Sequence, residues 1–325
     1  MHNFAYVLPQ SLAEAQLAVK EKGAVFKAGG IDLLDLMKGD IIHPPKLVNL
    51  LTVKGPTLRE IARKDDGLHI GALVTLADLA AHKEAPPALA EAAGAAATPQ
   101  IRNVATVGGN IAQRPRCWYF RSNTFPCARK EGSTCYAQKG ENKYHAIFDN
   151  SDCAVVSATS LGVPLVALDA VVVTTKRKIP IEQFFVPTTT DITKEHVLEE
   201  GEIITEVLVP ASAKAWKNAF REATERDSQD WSLINAAVVL DLDGGTVKSA
   251  RVALGAVAAI PYRNKAAEAA LVGKKITEAN AAKAAEAAFA KATPFADNAY
   301  KVPLGRTILK RAILAAAGER EIAGG

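Results

Sequence analysis

Cysteine is nearly absent from this 325-residue sequence: there are four, and none lies outside the stretch from Cys117 to Cys153. Clustered thiols in a reducing compartment point to metal more than to disulfides. Long apolar runs are absent too, since none reaches the ~20 residues that a bilayer-spanning helix needs. The opening Met1-His2-Asn3-Phe4 shows no basic segment followed by an apolar one, so no signal peptide is expected. Folding in the cytoplasm is the expectation, with export alongside a signal-bearing partner left open. An excess of one charge is missing: the formal net charge is +4, and the basic residues are spread out rather than gathered into the stripe a nucleic-acid surface requires. Neither G-x-G-x-x-G nor a Walker-type G-x-x-x-x-G-K-[S/T] occurs, which disfavours the ordinary Rossmann and P-loop readings. No Ser/His/Asp arrangement is tied to a nucleophile turn, no carboxylate pair stands out, and His43, His69 and His82 share no motif spacing.

The length allows two domains, each with its own core. At 49% hydrophobic and 23% charged residues, the composition is that of a globular protein. Residues 11–20 read as a short helix capped by Ser11, with Glu14 at the capping-box position. A strand over 24–27 leads into Gly29-Gly30, a helix over 33–38 follows, and 46–51 is a further strand. This order fits a small α/β lobe. Residues 69–73 read as a strand, 75–82 as a helix capped by Thr75, and 88–97 as a buried Ala-rich helix ending near Pro99. Gly108-Gly109 reads as a second glycine turn. Residues 114–153 break all regular patterning, which is improbable in a compact domain unless function or a ligand orders them. Strands are expected over 163–175, a polar linker over 188–201, and three more strands over 203–209, 233–242 and 246–256. The last two are joined by the hairpin signal Asp243-Gly244-Gly245. Helices over 265–271, 278–291 and 304–317 complete the chain. The fold class expected is α+β. A two-lobed unit over 1–185 (a small α/β lobe over 1–52, a mixed-sheet lobe over 53–185, with 114–153 inserted) precedes a C-terminal α+β unit over 200–325 with a three-stranded antiparallel sheet.

Three motifs carry chemistry. The run Lys27, Ala28, Gly29, Gly30, Ile31, Asp32, Leu33, Leu34 places paired glycines between a strand and a helix. There, backbone N–H groups can turn toward one phosphate and the helix adds the positive end of its dipole. The run from Gln100 to Ile111 again sets paired glycines beside hydroxyl and amide donors, Thr106 and Asn110, with Arg102 nearby. Two such turns could grip the two ends of a diphosphate. The third motif, Cys117-x9-Cys127-x7-Cys135-x17-Cys153, has neither paired C-x2-C zinc spacing nor a ferredoxin run. Four thiolates on one segment still satisfy a tetrahedral S4 ligand count, and soft sulfur suits zinc and iron–sulfur clusters alike. His145 lies close by and needs no metal to explain it. Trp231, at the start of a strand, reads either as core or as a shield over a ring cofactor.

Ala28-Gly29-Gly30-x-Asp32-Leu33-Leu34, taken with Gln100-Ile101-Arg102-Asn103-x-Ala105-Thr106-Val107-Gly108-Gly109-Asn110-Ile111, resembles the FAD subunit of the xanthine oxidase family, to which carbon monoxide dehydrogenase medium subunits belong. Further matches at 166–170, 201–204, 251–255 and 297–304 run in family order over nearly the whole chain. The cysteine insertion is similar to that of aldehyde oxidoreductase and 4-hydroxybenzoyl-CoA reductase flavin subunits, which implies Cys117, Cys127, Cys135 and Cys153 as ligands of a [4Fe-4S] cluster. The resemblance implies FAD held by residues 27–34 together with Thr106, Gly108, Gly109, Asn110 and Ile111. It further implies Ile204 and Trp231 packed against the isoalloxazine ring, and Arg221 in electrostatic contact near it. Ile31 departs from the family's Thr or Ser, removing one hydroxyl. Ser160 stands where the family has an Asp near the ribityl or ribose hydroxyls, and Asp152 lies eight residues upstream of it. The implied role is an electron-transferring oxidoreductase subunit. Substrate chemistry would sit on a molybdenum-cofactor large subunit, with a [2Fe-2S] small subunit and an external electron carrier as the other partners, in a heterotrimer or its dimer. Rival expectations are an FAD subunit with a structural zinc loop, a flavin-free assembly scaffold, and a free-standing flavin oxidase, for which the C-terminal unit offers no base.

Overall fold

A computed structural model of the protein describes residues 1–130, 132–227 and 229–318. Residue 131 of the cysteine-rich segment, residue 228, and residues 319–325 of the expected C-terminal unit lie outside these. Strand β1 (Ala5–Val7), helix α1 (Leu12–Ala18), β2 (Val25–Lys27), α2 (Ile31–Lys38) and β3 (Lys46–Asn49) build the first lobe around a parallel sheet of order β1-β3-β2. Ser11 caps α1 by accepting the Glu14 N–H at 3.2 Å, and the Glu14 carboxylate accepts the Gln10 N–H at 2.8 Å. Helix α2 begins two residues earlier than expected, because Gly30 takes the left-handed conformation (φ 80°) that turns the chain off β2 directly into the helix. Ala15, Val19 and Val48 form its core with Val53, Leu58, Leu73 and Ile203 from beyond the lobe.

The second lobe contains β4 (Ile61–Lys64), β5 (Gly67–Gly71), α3 (Leu76–Ala81), α4 (Pro87–Ala95), α5 (Pro99–Arg102), α6 (Val107–Ile111), α7 (Gly162–Ala167), β6 (Val171–Thr174), β7 (Lys178–Pro180), α8 (Ile181–Phe184) and β8 (Ile204–Pro210). Its sheet has order β4-β5-β8-β6-β7, and every pairing is antiparallel where a mixed sheet was expected. Strand β8, expected to open the C-terminal sheet, instead fills the centre of this one. The polar stretch before it folds back on the lobe rather than linking two domains. The apolar run 163–167, expected as strand, is helical. Its residues are wholly buried, and a buried apolar run carries no period to separate helix from strand. Asp169, at φ 51°, ends that turn and starts β6.

The C-terminal unit pairs β9 (Lys217–Ala223), β10 (Ile234–Asp243), β11 (Thr246–Gly255) and β12 (Tyr262–Arg263) in an antiparallel sheet of order β12-β11-β10-β9. Four strands stand where three were expected: β8 is lost to the second lobe, while the mixed-polarity β9 and the two-residue β12 are gained. The Asp243-Gly244-Gly245 hairpin is present, with Gly244 and Gly245 both at positive φ (54° and 82°), as a two-residue turn demands. Helices α9 (Lys265–Leu271), α10 (Glu278–Phe289) and α11 (Lys301–Ala317) cover one face through Phe289, Ile308, Leu309 and Ile313. Among the described residues no helix is long and apolar enough to cross a membrane.

Candidate functional site

The first two lobes enclose a cleft of about 1510 Å³, and both glycine motifs open onto it. Lys27, Ala28, Gly29, Gly30, Ile31, Asp32 and Leu33 line one wall; Thr106, Gly108, Gly109 and Asn110 line the other, with Ser160, Ile204 and Trp231. The walls touch. A Cβ built on Gly29 would stand 2.2 Å from the Val104 carbonyl oxygen and 3.4 Å from the Ala105 Cα, so only a hydrogen fits between the two backbones.

The two motifs do different work. Gly30 offers α2 no side-chain cap, so the first N–H groups of that helix have no intrahelical partner at the cleft wall, the arrangement that receives anions. The backbone donors of the second motif, and the Asn110 amide oxygen, are engaged locally. Val107 and Gly108 donate to Val74 and Ala72, Gly109 donates to the Thr106 hydroxyl at 3.2 Å, and the Asn110 amide oxygen accepts from Thr159 Oγ1 at 2.8 Å and the Leu161 N–H at 3.0 Å. Its glycines are helical rather than a turn: Thr106 caps the short α6, which packs on Ala72. The second wall therefore keeps its backbone donors for itself, and the first wall contributes free backbone donors.

Three nominated residues lie off the cleft wall. Leu34 sits below Gly30, Ile111 is buried behind the second wall, and Arg221 on β9 points to α4, where it pairs with Glu91 at 3.3 Å. Ile31 lies 39% exposed on the cleft wall without a hydroxyl. The Asp32 carboxylate is engaged: it accepts the Arg114 N–H at 2.9 Å and pairs with Arg116 at 3.0 Å and with Arg121, while Asp35 one turn on takes Arg121 at 3.0 Å. Arg116 lies 5.0 Å from the centre of the Trp231 ring, which is 53% exposed in the cleft.

The four cysteines are unpaired and line a single small chamber with Phe120, Arg129, Tyr136, Ala137, His145 and Val155. Cys127 and Cys153 are buried, the other two half-buried. Burial pushes the Cys117 thiol up to about 11, and His145 Nε2 stands 3.2 Å from its sulfur. Cys135 is held low by the Cys153 thiol donating to it and by burial-opposing N–H groups, of which Ala154 lies at 3.4 Å; Cys153 is correspondingly raised. Burial and the nearby Lys301 ammonium bring His145 down to about 4, so its ring is neutral at pH 7.

The arginines escaped the sequence reading. Arg129, 3% exposed at its side chain, lines the chamber and donates to the Glu195 carboxylate at 2.7 and 3.0 Å, to Ile192 O at 2.6 Å and to Lys194 O at 2.9 Å. Arg114 reaches the same carboxylate at 3.2 Å. Residues 193–196 line the cleft, so one short stretch both borders the cleft and holds the chamber's Arg129. The available signal was four arginines interleaved with the cysteines at 114, 116, 121 and 129, facing acids three apart on α2.

A two-walled cleft with an uncapped helix N-terminus at one wall and an exposed aromatic ring in its lining has the parts of a dinucleotide-binding site. Residues 2–212 match the family described as the FAD binding domain in molybdopterin dehydrogenase, and residues 218–316 match the CO dehydrogenase flavoprotein C-terminal domain. The chain belongs to this family of FAD-binding medium subunits and is an oxidoreductase subunit. It is 36% identical to the aldehyde oxidoreductase FAD-binding subunit PaoB of Escherichia coli, over 95% of this chain and 96% of that one. It is 30% identical to the carbon monoxide dehydrogenase medium chain of Hydrogenophaga pseudoflava, over 96% of each. A solved carbon monoxide dehydrogenase from that organism superposes with a TM-score of 0.75, covering 98% of both chains.

Proposed function

We propose that this subunit carries electrons between partner subunits and an external carrier through FAD in the cleft, with a [4Fe-4S] cluster on its four cysteines. The observation that carries the first part is the contact of Gly29 with the Val104 backbone, which makes the two motifs one site. In this reading the N-terminus of α2 holds the diphosphate, Gly108 and Gly109 admit it closely, and Ile204 and Trp231 pack against the ring. Arg116, beside Trp231, supplies positive charge at that end in place of Arg221. FAD supplies the one- and two-electron chemistry, while the protein supplies binding, orientation and charge. Ile31 adds no donor, so the backbone of α2 carries the diphosphate contact alone. The division between the FAD-binding and C-terminal units falls between Pro210 and Lys217, where the chain leaves one sheet for the other.

The donor set supports an iron–sulfur cluster over the zinc alternative. A closed four-thiolate zinc site, with bonds of ~2.3 Å, sets its sulfurs ~3.8 Å apart. Among the described residues no three of these sulfurs lie within 4.8 Å of one another, so a closed zinc site is not preformed, and four thiols lining one chamber offer the soft ligand set of an iron–sulfur cluster. A relative named a medium chain supports small and large partner subunits, and the family's description as a molybdopterin dehydrogenase supports molybdenum on the large one; a [2Fe-2S] centre on the small one completes the proposed set. Metal and flavin analysis of the anaerobically purified complex tests both parts. One FAD and roughly four irons per copy of this chain are expected beyond those of the small subunit; a colourless chain that takes up no FAD on reconstitution would sink the proposal.

A further inference from the structure

Away from the cysteines, a second set of metal-binding side chains gathers at the open end of the first lobe. The parallel pairing of β1 with β3 matches Ala5 to Lys46, and the Ala5 N–H donates to Pro45 O at 2.9 Å. The same register carried three residues toward the N-terminus sets His2 beside His43, and their rings lie 4.1 Å apart. Asp40 enters from a third direction, just past the end of α2, at φ 62°. That left-handed turn, which Asp tolerates better than most residues, lays its carboxylate across both rings. One oxygen, Oδ1, stands 2.8 Å from His43 Nε2 and 3.3 Å from His2 Nε2.

We infer that His2, Asp40 and His43 form a surface site for a borderline divalent transition ion of the Zn²⁺, Co²⁺ or Ni²⁺ class. Two imidazoles and a carboxylate suit these ions, and three protein ligands leave a position for water. Tetrahedral zinc with bonds of ~2.0–2.1 Å separates its ligand atoms by ~3.3 Å, close to the spacing found here. Two ring N–H groups compete for one carboxylate oxygen, and an ion replaces both protons with a single centre that all three ligands can share. His43 also lines the cleft, so a bound ion would tie the start of the chain and the end of α2 together at its rim. The site stands whether or not a dinucleotide occupies the cleft.

Co²⁺ titration of the full-length chain, followed in the visible and near-ultraviolet, separates this site from the cysteines, because thiolate ligation adds an intense sulfur-to-metal band. One Co²⁺ per chain is expected to bind without that band. The three side chains are 63%, 48% and 43% exposed, so Asp40→Asn and His43→Gln should fold normally, as circular dichroism melting would show. Both variants are expected to weaken that ion about tenfold or more, a loss typical of disturbed metal sites, and to leave the sulfur band unchanged. Equal affinity in wild type and both variants, or wild-type binding only at millimolar Co²⁺, would overturn the inference.

Discussion

Replacing Gly29 with alanine tests the joined walls directly. The new methyl would stand 2.2 Å from the Val104 oxygen and 2.9 Å from its carbonyl carbon, against an ordinary separation of ~3.4 Å or more. Relief requires the backbones to part by about 1 Å, since the obstructing atoms are main chain and no rotamer change removes them. Gly30 differs, because a Cβ there would meet mainly the Lys27 Cε and the Leu34 side chain, and its requirement is the positive φ. Overpacking of this kind costs about 1–3 kcal/mol. If the strain appears as a widened cleft, FAD affinity should fall about five- to 150-fold. Quenching of flavin fluorescence on titrating FAD-depleted protein measures this, with thermal melting run in parallel. Gly245→Ala is the control: its φ of 82° carries strain, but its Cβ meets nothing within 4 Å and lies in the hairpin of the other unit. Wild-type FAD affinity in Gly29→Ala would refute the argument that the two motifs share one site.

Other consequences are measurable. Cys127→Ser should lose iron and the broad visible absorbance beside the flavin bands, and unchanged iron content would remove it from the ligand set. Glu195→Gln leaves the buried Arg129 without its carboxylate partner and should cost about 3 kcal/mol in denaturant unfolding; a loss under about 0.5 kcal/mol would mean the pair is no more than a surface contact. Burial brings Lys301 down to about 7 from an ordinary 10.5, with Tyr144 and Ala256 carbonyls as its partners at 2.9 and 2.8 Å. The unfolded chain therefore binds the extra proton between those values, and stability should rise with pH from about 7 toward 10. In Lys301→Met that rise should vanish, and parallel slopes for the two proteins would contradict the assignment.

What could be read from the sequence was local. The Ser11 and Thr75 caps, the Gly30 turn, the Asp243-Gly244-Gly245 hairpin and the helix over 265–271 depend on contacts within a few residues, and all are present. What could not be read was set by partners far along the chain. Strand β8 belongs to the second lobe because it pairs with β5 and β6, and a polar stretch preceding a strand does not reveal which sheet the strand will join. Arg221 was nominated for its charge, but its direction follows from the pairing of β9 with β10, where it lies opposite Ala236 and faces Glu91. Without knowledge of β9 its side could not be assigned. The Arg129–Glu195 pair spans 66 positions, and no local pattern announces it.

The same long-range charges explain how an irregular segment can hold four sulfurs in place. Arg116 and Arg121 clasp Asp32 and Asp35 on α2, where Arg114 adds its backbone N–H, and the Arg114 and Arg129 side chains clasp Glu195, so the segment is ordered by two acidic anchors rather than by a ladder of its own. These guanidinium groups are mostly buried, where salt screens weakly. The clasp at α2 begins two residues past the Gly30 N-cap, at Asp32, and Arg116 faces the cleft while Cys117, next in the chain, faces the chamber. Whatever the sulfurs hold is thus one residue from the cleft wall, yet the wall is pinned by ion pairs that do not involve sulfur. Loss of iron should therefore leave FAD binding largely intact: Cys127→Ser should retain flavin while losing metal. Joint loss of both would show that the metal, and not the arginine clasps, holds this wall of the cleft.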